Sequence, residues 1–90
     1  MYRIKNWSKY QTISKERLTP LPWFKMYRDF FNDYHVLKLS PEKRLILIAL
    51  FSYCNNETGV IKSDEEQIAF LLRCEQFSFE EFIHFLELCD

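Results

Sequence analysis

The residues of this 90-residue chain whose types and spacing suit chemistry lie in its first twenty positions. Five cations alternate there with aromatic side chains, a mixture that favours contact with a polyanion. Cations neutralise phosphates and aromatic rings stack on exposed bases, which is typical of proteins that bind single strands or loosely held duplex. The segment predicts a nucleic-acid contact through Arg3, Lys5, Trp7, Lys9, Tyr10, Lys15 and Arg17.

The same aromatic residues also have a structural interpretation. Large aromatic side chains are mostly buried to a high degree, so Trp7 and Tyr10 can instead fold back onto the aromatic face of a following helix. The lysines and arginines can face solvent in either case. Both interpretations stay open at the level of sequence.

Catalysis and metal binding have little support. The sequence has no glycine-rich phosphate loop, no Ser or Cys nucleophile with an evident base, and no second His at ligand spacing near His35 or His84. Its three cysteines form no Cys-x-x-Cys pair and lie within or beside apolar helical patterns, where Cys acts as a small hydrophobe. Acid pairs such as Glu65 and Glu66 are explained by helix N-termini. We expect no enzyme, no cofactor and no metal.

Composition indicates one globular domain. Hydrophobic residues make up 48% of the chain and aromatic residues 18%, and the single Gly argues against an all-β fold with many tight turns. No apolar run reaches the roughly 18 residues of a membrane span, and the N-terminus has no apolar signal-peptide core. We therefore expect a soluble, cytoplasmic protein with no membrane contact.

Capping signals place the first helices. An aromatic run that begins with a proline predicts an amphipathic first helix on the spacing of Trp23, Tyr27, Phe30 and Tyr34. Ser40 and Pro41 supply an N-cap and a first helical residue for an apolar, central helix. A short strand is expected near residues 2–5.

The second half of the chain predicts a short strand and two further helices. Gly59 ends a polar turn and precedes β-branched Val60 and Ile61, which suit a strand. Two Ser-x-x-Glu capping boxes predict helices over residues 64–73 and 79–89. Two short helices joined by a four-residue turn are a candidate helix-turn-helix.

Two sequence runs are more specific than these generic helices: Asn6-Trp7 to Tyr10-Gln11, and Pro22-Trp23-Phe24-Lys25-Met26-Tyr27-Arg28-Asp29. With them, nearly the whole chain resembles the N-terminal winged-helix domain of phage replication proteins of the replisome-organiser type. The resemblance implies a mainly α, winged-helix-like helix-turn-helix bundle with at most a small β element. It also implies a domain that recognises origin DNA or assembles the initiation complex in a bacterial host cell.

The family pattern also bears on what surrounds this domain. A winged helix continues past its third helix into a β-hairpin, whereas the sequence stops at Asp90, where that hairpin would begin. We therefore expect a truncated wing and a fragment of a longer protein, whose missing C-terminal region contacts a helicase or its loader. Within the fragment, we divide the chain into a basic aromatic arm over residues 1–20 and a helical domain over residues 21–90.

Charge departs from the pattern of a DNA-reading helix. Residues 1–28 contain seven Lys and Arg against one acid, and residues 63–90 contain eight acids against one Arg, although the net charge is −1. Because phosphates repel an acidic helix, we predict that this end meets protein through Glu80, Glu81 and Glu87. Groove reading by the third helix remains an alternative, and so does a protein-interaction or self-assembly module without DNA affinity.

Opposite charges at the two ends allow two arrangements. Copies of the chain can pair head to tail, and such heterologous contacts grow into rings or filaments. Alternatively, the arm lies across the acidic helices of its own chain. Salt weakens both arrangements, but only the first depends on protein concentration.

Overall fold

The computed structural model describes residues 1–11, 24–26 and 28–89. Helices predominate, and a small antiparallel sheet accompanies them. No helix in the described part of the chain is long and apolar enough to cross a membrane. In chain order, the elements are β1 (Tyr2–Ile4), α1 (Trp7–Tyr10), a 3-10 turn (Phe30–Asn32), α2 (Tyr34–Leu37), α3 (Pro41–Tyr53), β2 (Val60–Ile61), α4 (Glu65–Leu72), a 3-10 segment (Phe79–Phe85) and β3 (Leu86–Leu88).

The N-terminal strand β1 is the centre of the sheet. It lies between β2 and β3 and runs antiparallel to both, so that Tyr2 is opposite Ile61 on one side and Leu88 on the other. The ladder continues past the strand, because the Lys5 N–H donates to the Phe85 carbonyl at 2.9 Å. The strand predicted near the N-terminus is confirmed, and it belongs to the body of the domain rather than to a projecting arm.

Helix α3 forms the middle of the core, as its cap and composition predict. The Ser40 hydroxyl accepts a hydrogen bond from the Lys43 N–H at 3.2 Å, and Pro41 begins the helix. Leu47 and Leu50 on this helix are completely buried. They share one apolar cluster with residues from all three strands and most of the helices: Ile4, Trp7, Phe30, Val36, Cys54, Ile61, Ile68, Phe79, Phe82 and Leu86.

The aromatic run before α3 does not form the single helix that its spacing predicts. Of its described residues, 24–26 are not helical, Phe30 begins the 3-10 turn and Tyr34 begins α2. Asp33 explains the break, because its carboxylate accepts hydrogen bonds from two backbone N–H groups of α2, at 2.8 and 3.3 Å. Two residues of the predicted stripe lie outside the described residues, namely Trp23 and Tyr27.

The caps of the last two helical segments differ from prediction in detail. Asp64 caps α4 in place of Ser63: its carboxylate accepts from the Gln67 N–H at 2.8 Å, and the Gln67 side chain accepts from the Asp64 N–H at 3.0 Å. This is a complete capping box, one residue later than expected. Ser78 caps the 3-10 segment as predicted, but it accepts from the Glu80 N–H, at 3.3 Å.

The prediction of an α-helix over residues 79–89 is wrong. The 3-10 segment has a kink at Phe82, and the chain then becomes strand β3. Leu86 is buried and pairs opposite Ile4, so burial and backbone pairing with β1 outweigh the local helix signal. One edge of β3 is paired with β1. A strand joined to β3 by a hairpin would therefore pair with the opposite edge of β3.

Candidate nucleic-acid interface

A cleft of about 340 Å³ opens where β1 leads into α1. Core side chains form its interior, and their aromatic members are Trp7, Phe30, Phe51 and Phe85. Polar side chains from four separate segments also line it, and those that carry or can acquire charge are Lys5, Lys25, Asp33 and His84. Two lysines against one carboxylate favour an anion at this opening.

Trp7 belongs to the floor of this cleft and is fixed in the core. The residue is only 5% exposed, and its indole N–H donates to the Asn56 carbonyl at 2.8 Å. Its ring centroid lies 6.3 Å from that of Phe24 and 6.2 Å from that of Phe51. Trp7 is therefore packed in the core, which is the second of its two interpretations. The indole ring is too buried to stack on a base at the surface.

The position of Trp7 also explains the glycine that precedes β2. Gly59 has a φ of +75°, and a Cβ there would lie 2.7 Å from both Cβ and Cγ of Trp7. The Gly59 carbonyl accepts from the Ile4 N–H at 2.9 Å, which joins this turn to the end of β1. Only glycine combines this backbone conformation with so close an aromatic neighbour.

The predicted cations occupy different surroundings. Lys5 follows β1 and Lys9 lies on α1, and both residues are exposed. Arg3 is partly exposed, and its Nε donates to the Glu87 carboxylate at 2.8 Å. The remaining members of the predicted set fall outside the described part of the chain: Lys15, Arg17 and the side chain of Tyr10.

The ion pair between Arg3 and Glu87 shows how the two charged ends of the chain meet. The two residues are opposite each other in the β1–β3 ladder. The basic and acidic ends of one chain therefore meet at this pair, but through paired strands and not across acidic helices. Exposed ion pairs contribute about 0.2–1 kcal/mol, so strand pairing rather than charge holds the two ends together.

Two histidines that are distant in the sequence stack beside the cleft. The rings of His35 on α2 and His84 on the 3-10 segment have centroids 3.3 Å apart and planes 20° apart. Desolvation is the largest cause that lowers the pKa of His84, and the neighbouring His35 and Lys5 lower it further. This pair could not be predicted from the sequence, because only the tertiary fold brings the two segments together. No group of three or more potential metal ligands occurs among the described residues.

The cysteines are free thiols in this structure. Cys54 is buried at the end of α3, where burial raises the pKa of its thiol to about 12. A thiol with such a pKa stays protonated near neutral pH and is a poor nucleophile. Cys54 thus packs as a small apolar residue, as predicted.

A second groove, of about 410 Å³, lies between α4 and the 3-10 segment and has the opposite charge. Phe77 contributes an aromatic wall, and no Lys or Arg of the described residues lines it. Part of its charge is used within the domain, because Glu81 pairs with the Lys43 ammonium at 3.2 Å. The acids that line this groove are Glu65, Glu66, Glu75 and Glu81.

The three acids predicted to meet protein have unequal surroundings. Glu80 is exposed at the start of the 3-10 segment, whereas Glu81 turns towards Lys43. Glu87 lies in β3, not in a helix, and is bonded to Arg3. Of these three acids, Glu81 lines the acidic groove. The other acids of the groove lie on α4 and in the turn after it.

Comparison with known proteins found no match for this chain among protein-family models, curated proteins or solved structures. Its function is therefore inferred from the geometry and charge of these two surfaces.

Proposed function

We propose that this chain is a non-enzymatic DNA-binding module that contacts phosphates through the basic rim of the cleft. The observation that carries the proposal is the meeting of Lys5, Lys25 and His84 at one opening, although they come from three separate segments. Lys9, on the adjoining helix α1, extends the basic surface. Cations that neutralise phosphates release counterions, which supplies most of the affinity in such contacts.

The acidic groove supports the same orientation by repulsion. Phosphates are disfavoured next to the glutamates of α4, so this helix and the 3-10 segment are poorly suited to enter the major groove. DNA therefore approaches the side of the domain where β1 meets α1. Arg3 contributes less than Lys5, because its guanidinium is already bonded to Glu87.

Resemblance to replisome-organiser proteins of phages narrows the proposal to DNA replication initiation. The succession of α3, β2, α4, the 3-10 segment and β3 is compatible with the helix, strand, helix, helix order of a winged-helix domain. In this proposal, the domain binds single-stranded DNA or origin duplex in the cytoplasm of a bacterial host. Another region of the protein contacts a helicase or its loader.

Fluorescence anisotropy with labelled single- and double-stranded oligonucleotides at two salt concentrations tests the proposal. Lys5→Glu combined with Lys9→Glu is expected to lower affinity at low salt by about tenfold or more. It should also reduce the salt slope for single strands by about 1.4, because two phosphate contacts at about 0.7 each are lost. Glu80→Lys, an exposed control on the acidic side, should leave affinity unchanged or raise it.

The opposite pattern would contradict this assignment of surfaces. If the double lysine variant bound DNA normally and Glu80→Lys abolished binding, the acidic face would be the DNA-binding face. Circular dichroism of each variant would establish that the fold is retained.

A protein-interaction or self-assembly module without DNA affinity is the second candidate, and the acidic groove favours it. An aromatic side chain among four glutamates is compatible with a basic, partly apolar protein segment. In that case neither oligonucleotide binds at low salt. Self-assembly would also appear as sedimentation that depends on protein concentration.

A further inference from the structure

The cleft beside β1 combines an aromatic interior with a cationic entrance. Its volume of about 340 Å³ is at the lower end of the range for ligand pockets, which suits a ligand the size of a nucleotide. We propose that it accommodates one unpaired nucleotide of single-stranded DNA, with the base inside and a phosphate at Lys5 and His84. This inference rests on the proposed DNA-binding function.

The aromatic interior provides the surface for the base. Phe51 and Phe85 are partly buried and line the cleft, whereas Trp7 and Phe30 are buried and form a fixed floor. Aromatic side chains bind bases with little regard to sequence, because every base has a π-face. The site therefore selects an unpaired base rather than a particular one.

Hydrogen bonds fix residues that line the cleft. The Gln11 side chain bonds the backbone of Lys25 twice, accepting from its N–H at 2.8 Å and donating to its carbonyl at 2.9 Å. The indole of Trp7 is tied to the Asn56 carbonyl on the other side. A site whose walls are already ordered loses little conformational entropy when it binds.

The entrance provides the contact for a phosphate. The backbone bond from the Lys5 N–H to the Phe85 carbonyl places Lys5 next to His84, and both residues are exposed. From the direction of α2, His84 faces His35, Lys38 and Asp33. Among the described groups that act on His84, Asp33 is the single acid, so a phosphate meets mainly cationic neighbours there.

Strandedness distinguishes this site from a general basic surface. A base within a duplex is stacked and paired, so it must leave the helix, at a cost in free energy, before it can enter a pocket. A basic surface alone has no such preference for unpaired bases. Single strands should therefore bind more tightly than duplex of the same length.

The imidazole of His84 should also make the affinity of the site for single strands depend on pH. In the free protein, desolvation lowers the pKa of His84; His35, Lys5 and Lys38 lower it further, and Asp33 opposes them. A phosphate beside the ring stabilises its protonated form and so raises that pKa. Binding then takes up a proton, and affinity for single strands increases as the pH falls through the range in which His84 titrates.

The test is anisotropy with a labelled oligothymidine and its blunt duplex, at about pH 7.5 and about pH 5.5. We expect the single strand to bind about tenfold more tightly than the duplex, and its affinity to rise on acidification. His84→Ala should lower single-strand affinity several-fold and remove most of its pH dependence, with a smaller loss of duplex affinity. Lys5→Gln should weaken single-strand binding but keep the pH dependence. Lys62→Ala, at an exposed lysine outside the cleft, is the control.

The outcomes separate this inference from the function on which it rests. Equal binding of both forms, or a single-strand preference that His84→Ala does not affect, would overturn the nucleotide site and leave the basic DNA contact intact. No binding of either form at low salt would refute both. Because His84 and Lys5 are exposed, circular dichroism should show folded variants in every case.

Discussion

The cleft at β1 and the groove at α4 are similar in volume, at about 340 and 410 Å³, and opposite in charge. Local structure accounts for part of the groove, because Glu65, Glu66 and Glu81 lie in first helical turns, where acids are favourable. Glu65 also accepts a hydrogen bond from the Phe79 N–H at 3.2 Å. No such role explains Lys5, which lies between β1 and α1 and is exposed. Glu65 thus serves the backbone of a neighbouring segment, whereas Lys5 carries its charge at the exposed edge of the cleft.

The largest expected effect concerns Trp7, which lies under the basic surface. Trp7→Ala should lower the free energy of unfolding by about 3–5 kcal/mol, because it removes a buried aromatic side chain at the junction of β1, α1 and α3. Trp7→Phe keeps most of the contact area but leaves the Asn56 carbonyl without its indole donor, and should cost less. Urea unfolding monitored by circular dichroism measures both.

This experiment separates packing from DNA stacking in the basic segment. A base-stacking Trp7 would give an Ala variant of normal stability and reduced DNA affinity. Such a result would mean that the Trp7 side chain contributes little to the core of the free protein, and it would contradict the packed position of Trp7.

An intermediate effect is expected from reversing charge in the acidic groove. Glu66→Lys with Glu75→Lys changes two exposed residues, and should raise DNA affinity several-fold at low salt by removing repulsion. The fold should be retained, because neither side chain serves as a helix cap in the described structure. Glu66→Lys removes an acid from the first turn of α4 and should cost about 0.3–1 kcal/mol of stability. Anisotropy at low and high salt measures the change, with Lys5→Glu as the reverse case at the cleft.

A loss of DNA binding in this groove variant would contradict the comparison between the two regions. It would indicate that the acids organise the DNA-binding surface, for example through a bound cation. A gain that persists at high salt would also disagree with a purely electrostatic origin, because screening weakens contacts between exposed charges.

Local signals in the sequence were sufficient to predict α3, the turn at Gly59 and strand β2. Each depends on residues that are neighbours in the chain, such as Ser40 and Pro41 at the start of α3. The wrong prediction of Ser63 instead of Asp64 as the cap of α4 is also local, because adjacent residues compete for the same cap. The predicted bounds of α4, residues 64–73, therefore lie within one residue of those observed, Glu65–Leu72.

Long-range contacts explain what the sequence could not predict. Residues 86–88 carry a helix-compatible sequence and become a strand only because β1 pairs with them. The stacking of His35 on His84, and the gathering of Lys5 and Lys25 at one cleft, likewise depend on tertiary structure. Predicting the cations was possible from composition, whereas predicting which of them share a site required the fold.

The smallest expected effect concerns Arg3 and Glu87, the ion pair that joins the basic segment to the acidic end. A double-mutant cycle with Arg3→Ala and Glu87→Ala should give a coupling of about 0.2–1 kcal/mol in urea unfolding, as for other exposed pairs. Glu87→Ala also releases the Arg3 guanidinium, which lies on the same strand that leads to Lys5. DNA affinity should therefore rise slightly in Glu87→Ala and return to normal when Arg3→Ala is added. A rise of equal size in both variants would assign the effect to the removal of negative charge, rather than to a newly available arginine.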